Sequence, residues 1–188
     1  MQIEDYIKIY EDAIPIESVS SIIKWVEERK PSFKEGTVGV GVIDKDIRKV
    51  KTTSLMDWDD CSLTKIHWCN LLATCFNEMG KRYRKQVSPD AMTSQILDID
   101  ILKYEKGAKY KIHSDHFTNN PRTLSFILLL NNDYKGGDLN FHNLKGDIIK
   151  TIDPAPAKLV VWPSNFLFPH SVSEVTEGVR YSIVSWAL

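Results

Sequence analysis

A run of short strand-like segments in the second half of the chain constrains its fold most. From about residue 95 onward, apolar and polar side chains alternate over five to ten positions, and turn signals such as Asn131-Asn132 and Gly136-Gly137 separate the segments. Short, regularly spaced strands without helices between them are typical of an antiparallel sandwich or barrel. The predicted strands are residues 95–104, 109–113, 123–130, 138–142, 147–152, 158–162, 166–172 and 179–186.

Two helices are predicted ahead of these strands. The first follows Pro15 and ends before Pro31, and the second is capped by Ser62 and ends at Gly80. Residues 7–14 read as a first strand, and residues 32–60 as an irregular loop with one or two short strands. The apolar stripes that define the helices are Val19, Ile22, Ile23 and Val26, then Ile66, Cys69, Leu72, Ala73, Phe76 and Met79.

These elements predict a mainly β fold with supporting N-terminal helices, an α+β jelly roll. A chain of 188 residues with 43% hydrophobic content suits a single domain with a sizeable core. We expect one domain over residues 1–188, with helical support over about 1–90 and the jelly-roll core over about 91–188.

Charge and cysteine usage narrow the class of protein. The formal net charge is −1, which argues against nucleic acid as a partner, and no apolar run reaches the roughly 20 residues that span a bilayer. The N-terminus carries no secretory signal pattern. Cys61, Cys69 and Cys75 form no C-x-x-C motif, so we expect reduced thiols and a soluble cytoplasmic protein without contact to a membrane.

His113-Ser-Asp115 is the motif that indicates chemistry. Side chains alternate along a strand, so His113 and Asp115 point to the same face. With the distant His170 they could form the two-histidine, one-carboxylate triad that holds non-haem Fe(II). Arg180 and Ser182 share a face of a later strand, and a guanidinium beside a hydroxyl is suited to clamp a carboxylate.

A larger pattern surrounds these residues. The run Leu102-Lys-Tyr104-(x5)-Tyr110-(x2)-His113-x-Asp115, then Gly136-Gly137-x-Leu139-x-Phe141, then Pro169-His170 and Arg180-Tyr-Ser182, resembles the Fe(II)/2-oxoglutarate-dependent dioxygenases, most closely their prolyl 4-hydroxylase branch. The resemblance covers about residues 90–188. It implies a double-stranded β-helix, the cupin-like jelly roll of that family.

The resemblance also implies roles for individual residues. His113, Asp115 and His170 would bind the iron, Arg180 and Ser182 would hold the far carboxylate of 2-oxoglutarate, and Tyr104 would contact the same cosubstrate. Arg48 and Trp186 would face the substrate. Two positions depart from parts of the family: collagen-type relatives usually carry Lys where Arg180 stands, and Leu129 occupies the place of a second cosubstrate tyrosine.

The implied reaction is hydroxylation of an unactivated C–H bond with Fe(II), 2-oxoglutarate and O2, releasing succinate and CO2, with ascorbate as a candidate reductant. A prolyl residue in a peptide or protein is the expected substrate. A free amino acid, another small molecule or a nucleic-acid base is the alternative within the same chemistry. A jelly-roll module that binds metal without catalysis is the alternative from another class.

Three further features receive no catalytic role. Gly136 and Gly137 are expected only to make a turn. His116 falls on the face opposite to Asp115, and His142 is expected at the surface.

Overall fold

Two antiparallel sheets that share an apolar interior form the body of the computed structural model, which describes residues 2–39, 41–57, 62–88, 95–118 and 121–188. In spatial order, the seven-stranded sheet consists of β1 (Lys8–Tyr10), β11 (Leu159–Pro163), β7 (Leu124–Leu129), β14 (Arg180–Ala187), β5 (Ile96–Tyr104), β4 (Lys51–Ser54) and β2 (Lys34–Glu35). The five-stranded sheet consists of β10 (Ile148–Ile152), β9 (Leu139–His142), β12 (His170–Val172), β6 (Lys109–His113) and β3 (Arg48–Lys49).

The strands predicted from residue 95 onward are all present, within a few residues at their ends. Two very short strands that alternation did not reveal, β8 (Lys135–Gly136) and β13 (Val175–Glu177), pair with each other beside the sheets. The mainly β, helix-supported jelly roll expected from the sequence is therefore confirmed.

The helices lie in the first half of the chain. After a 3-10 turn at Ile3–Tyr6, α1 spans Ile16–Arg29 and α2 spans Leu63–Gln86. The predicted cap is confirmed, because the Ser62 Oγ accepts a hydrogen bond from the Lys65 backbone N–H at 3.1 Å. The first strand is shorter than expected and is limited to β1.

The predicted end of α2 at Gly80 is wrong. The helix continues for almost two further turns because Tyr83 is fully buried and its hydroxyl donates to the backbone carbonyl of Tyr6 at 2.9 Å. Packing on the core thus outweighs the modest cost of one glycine inside a helix.

Apolar side chains form two clusters, one on each face of the seven-stranded sheet. The first lies between that sheet and the helices, and includes Ile22, Phe76 and Ile183. The second fills the space between the two sheets, and includes Phe141 and Trp162. Burial on both faces explains why β7 and β14 are buried along their whole length.

The irregular segment before α2 contains three short strands, β2, β3 and β4, where one or two were expected. Residues 40 and 58–60 of that segment, and Cys61, lie outside the described residues. Cys69 and Cys75 are free thiols, and burial raises the pKa of Cys75 to about 11. Neither α1 nor α2, the helices of the described chain, combines the length and apolar character that a bilayer crossing requires.

Candidate metal and cosubstrate site

Strand register brings the two motif histidines together. In the five-stranded sheet, β12 pairs with β6 so that His170 lies directly opposite His113. Their ring centroids are 4.2 Å apart, and both side chains point into the space between the sheets. Residues far apart in sequence are therefore neighbours because of one antiparallel pairing.

Asp115 completes the cluster from the segment just after β6. Its Oδ1 lies 3.6 Å from the Nε2 of His113, and its Oδ2 lies 3.5 Å from the Nε2 of His170. One ligand atom from each of the three residues lies within 4.8 Å of the others. This is the group that the sequence predicted as a metal triad.

Backbone carbonyls set the tautomer of both imidazoles. The Nδ1 of His113 lies 2.9 Å from the Lys111 carbonyl oxygen, and that of His170 lies 3.1 Å from the Phe168 carbonyl oxygen. A carbonyl only accepts hydrogen bonds, so the proton resides on Nδ1 and the lone pair of each Nε2 faces the other ligands.

The charges of the cluster suit a cation. Burial, together with the neighbouring His170, lowers the pKa of His113 to about 3. Burial alone would raise the pKa of Asp115, but the adjacent histidines and a hydrogen bond from Ser125 outweigh it and hold that pKa below its usual range. Ligand atoms from two imidazoles and a carboxylate thus converge within 4.8 Å of one another, an arrangement that fits a divalent metal.

Arg180 lies on the other sheet in an environment that suits an anion. It is fully buried, its Nη1 donates to the Ser182 Oγ at 2.9 Å, and its Nε and Nη2 have no hydrogen-bond partner among the described residues. Strand pairing sets Arg180 opposite Tyr104, whose ring centroid is 4.9 Å from the guanidinium carbon. Leu129 lies opposite Ser182 on β7.

Gly137 does more than make a turn. A Cβ at this position would lie 3.0 Å from the Cδ of Arg180 and 3.2 Å from the ring of Tyr134, and its φ of +67° is one that side chains disfavour. Gly137 therefore leaves room for the buried arginine, whereas Gly136 allows the close approach of the Glu174 carbonyl. Tyr134, which the sequence analysis did not single out, packs in the same place.

A cavity of about 130 Å³ opens beside the metal-binding cluster. Tyr104 lines it, as do the two residues expected to face the substrate, Arg48 and Trp186. Arg180 does not line the cavity itself; its contact with the cavity is through Tyr104.

Two further residues of the cavity wall received no role from the sequence. Tyr110 stacks on His113 with their ring centroids 3.5 Å apart. The guanidinium carbon of Arg48 lies 4.8 Å from the centroid of the Tyr110 ring. Arg122 stacks over Trp186 at 3.6 Å. Arg122 follows the His113-x-Asp115 motif in a segment without periodic pattern, so only the fold reveals its position.

The two other histidines near the motifs play different parts. His116 is exposed, as expected, and its Nδ1 lies beside the Arg122 carbonyl. His142 is buried rather than at the surface, because its ring is held between the Ser171 hydroxyl and the Gly146 carbonyl. Neither histidine joins the metal-binding cluster.

The family of the chain follows from comparison with known proteins. Residues 99–188 match the model of the 2OG-Fe(II) oxygenase superfamily. This segment, just under half of the chain, is similar to that superfamily. The matched segment contains His113, Asp115, His170, Arg180 and Ser182, so the superfamily named from the motifs is confirmed.

Individual relatives agree with this assignment. A PKHD-type hydroxylase from Synechococcus sp. is 36% identical over 99 residues, which are 48% of this chain and 42% of the relative. Among solved structures, a Trichoplax adhaerens prolyl hydroxylase in complex with a hypoxia inducible factor peptide has a TM-score of 0.82 at 18% identity, with 98% of this chain and 84% of that chain covered. A Pseudomonas putida prolyl-4-hydroxylase has a TM-score of 0.78 at 18% identity, with 97% and 92% covered.

The comparisons cover different shares of the known proteins. The chain spans about two fifths of the length of the curated hydroxylases it matches. The structural likeness, at 18% identity, establishes that this chain has the fold of the prolyl hydroxylases. The matched superfamily implies Fe(II), 2-oxoglutarate and O2, and the His113, Asp115 and His170 cluster is able to hold the iron.

Proposed function

We propose that this chain is a 2-oxoglutarate-dependent dioxygenase that hydroxylates a prolyl residue in a peptide or protein. One observation carries the proposal. Three ligand atoms converge, from His113 and His170 on one sheet and from Asp115 just after β6, in the same interior as the buried Arg180 of the other sheet. Two nitrogen atoms of Arg180 have no hydrogen-bond partner among the described residues. A metal cation would occupy the ligand cluster, and a dicarboxylate bound to that metal would supply the acceptor that Arg180 lacks.

His113, Asp115 and His170 would hold the Fe(II), and three ligands on one face leave positions for the cosubstrate and oxygen. Arg180, with Ser182 and Tyr104 beside it, would bind the distal carboxylate of 2-oxoglutarate. When bound, the iron and cosubstrate supply the oxidation, in which O2 and 2-oxoglutarate give succinate, CO2 and one hydroxyl group on the substrate. The protein binds and orients these groups and limits the access of water.

The wall of the cavity favours a peptide substrate. Arg48 and Arg122 each stack on an aromatic ring, and the Nε of each is buried without a partner among the described residues. Guanidinium groups of this kind can donate to peptide carbonyls, while Tyr110 and Trp186 offer flat apolar surfaces that suit a proline ring. The prolyl hydroxylases of the same fold support this choice.

The test is aerobic incubation of the protein with Fe(II), 2-oxoglutarate and a library of proline-containing peptides. We expect mass spectrometry to detect a gain of one oxygen in a subset of peptides, with succinate formed in equal amount. The His113→Ala variant should form neither product, because it lacks one of the three metal ligands. His116→Ala is the matched control and should retain activity, since this exposed histidine lies outside the cluster.

The alternatives give different results in the same experiment. Succinate formed only with free amino acids, other small molecules or nucleic-acid bases would exclude the prolyl substrate and retain the reaction. No succinate with any of these compounds, despite metal binding, would identify a metal-binding module without catalysis. Activity that rises with ascorbate would support its expected role as a reductant.

A further inference from the structure

We propose that Ser125 and Ser164 form a hydrogen-bond relay that positions the Asp115 carboxylate, so that it binds the metal through a single oxygen atom. The Ser125 Oγ lies 2.7 Å from the Asp115 Oδ2, and the Ser164 Oγ lies 2.8 Å from the Ser125 Oγ. The relay rests on the metal site of the proposed function. It concerns two residues outside the triad and the cosubstrate clamp.

Both serines are held firmly by the backbone around them. Ser125 lies on the inner strand β7, where Trp162 of β11 and Trp186 of β14 are its pairing partners. Ser164 follows β11, where its N–H donates to the Thr123 carbonyl and its carbonyl accepts from the His116 N–H, both at 3.0 Å. The second of these bonds ties the relay to the segment that carries Asp115.

Burial excludes water as a substitute partner. Ser125 is 0% exposed, Ser164 is 1% exposed and Asp115 is 5% exposed. A buried hydroxyl whose bond is lost cannot be satisfied by solvent, and a buried carboxylate is strongly dependent on its donors. The geometry of Asp115 is therefore determined by protein groups.

The direction of the protons follows from their number. An ionised carboxylate only accepts hydrogen bonds, so the single hydroxyl proton of Ser125 is directed to the Oδ2 of Asp115. Ser125 then has only lone pairs for its other neighbour, and Ser164 must donate to it. The relay runs from Ser164 through Ser125 to Asp115, and each donor strengthens the next.

This direction of donation gives the two oxygen atoms of Asp115 different roles. Oδ2 is engaged by Ser125, whereas no protein hydrogen bond to Oδ1 occurs among the described residues, so Oδ1 is the atom available to a metal. A carboxylate bound through one oxygen occupies one coordination position. Release of Oδ2 would allow it to occupy a second position, in competition with the cosubstrate.

The experiment measures Mn(II) binding, and then 2-oxoglutarate binding to the Mn(II)-loaded protein, by titration calorimetry. We expect Ser125→Ala to weaken Mn(II) binding about 10- to 100-fold, the usual effect of losing a group that orients a metal ligand. At saturating Mn(II), its 2-oxoglutarate affinity should also fall. Ser125→Thr, which keeps the hydroxyl, should restore most of the Mn(II) affinity relative to Ser125→Ala.

Ser185→Ala provides the matched control. Ser185 is also 0% exposed, and its hydroxyl donates to the Leu97 carbonyl at 2.8 Å, away from the metal ligands. Both alanine variants should show a similar small loss of stability in urea unfolding, but only Ser125→Ala should lose Mn(II) affinity. Equal Mn(II) affinity in Ser125→Ala and the wild type would overturn the relay while the proposed function stands.

The order of the relay is tested by combining variants. Ser164→Ala should weaken Mn(II) binding less than Ser125→Ala, and the double variant should match Ser125→Ala, because Ser164 acts through Ser125. Additive effects would contradict the proposed order. A wild-type protein that binds no Mn(II) would overturn the proposed function, and the relay with it.

Discussion

Arg180 shows at the scale of a single residue how a buried charge indicates a missing partner. This guanidinium is 0% exposed, and two of its nitrogen atoms have no hydrogen-bond partner within the part of the chain that the structure describes. Its burial is costly, since hydrogen bonds compensate only in part for its removal from water. The cost is offset if an anion binds at Arg180. The Arg180 guanidinium is thus preorganised to bind an anion.

We predict that Arg180→Lys weakens the binding of 2-oxoglutarate to the metal-loaded protein by about tenfold or more. The lysine keeps the charge but loses the planar pair of donors, and a hydrogen bond to a charged group contributes about 1.5–3 kcal/mol. Calorimetric titration with 2-oxoglutarate measures the change. Mn(II) affinity should be unaltered, and an unaltered 2-oxoglutarate affinity would remove Arg180 from the cosubstrate site.

Sequence could reveal some of these residues but not others. The shared face of Arg180 and Ser182 follows from strand alternation, and the structure shows their contact. Ser125 and Ser164 appear in the sequence as ordinary serines, one within a buried strand and one just after a buried strand. The contact of Ser125 with Asp115, and of Ser164 with Ser125, depends on how the segment after β6 packs against the other sheet, which no local sequence pattern indicates.

Helix α2 shows at the scale of an element how tertiary packing overrides a local stop signal. Glycine ends many helices, and Gly80 follows the last residue of the apolar stripe identified in the sequence. Tyr83 nevertheless continues the buried face three residues later, so the helix extends to Gln86. A tyrosine that binds a distant backbone carbonyl through its hydroxyl is not distinguishable in sequence from an exposed one.

We predict that Tyr83→Ala lowers the free energy of unfolding by about 3–5 kcal/mol, the range for removal of a large buried aromatic side chain. Tyr83→Phe keeps the ring and loses only the bond to Tyr6, at a cost of about 1 kcal/mol. Urea unfolding measures both. Lys85→Ala, an exposed change on the same turn, is the control; equal effects of all three variants would contradict the core role of Tyr83.

The jelly roll and its helices depend on each other at the scale of the molecule. The helices cover one face of the seven-stranded sheet, and long-range bonds such as those from Tyr83 to Tyr6 and from Tyr10 to Gln86 join segments far apart in sequence. The sequence predicted this architecture because strand and helix periods differ. It did not predict β8 and β13, because strands of two or three residues leave no period to detect.

We predict that residues 1–188 unfold as one domain. Removal of the helices would expose the apolar face of the sheet, so neither half has a complete core alone. Thermal unfolding followed by circular dichroism, which reports the helices, and by tryptophan fluorescence should give one coincident transition. Two separated transitions would show that the helical and β segments are independent units.

The division of the site between two sheets has a consequence for the molecules it can accept. The proposed iron ligands belong to the five-stranded sheet and the segment that follows β6, whereas Arg180 belongs to the seven-stranded sheet. The side chains packed between the sheets set the distance between them. That distance then determines the length of the diacid that can join the metal to Arg180. Bulk at interior positions such as Leu102 and Val172 would become a means of selecting diacids by their number of methylene groups.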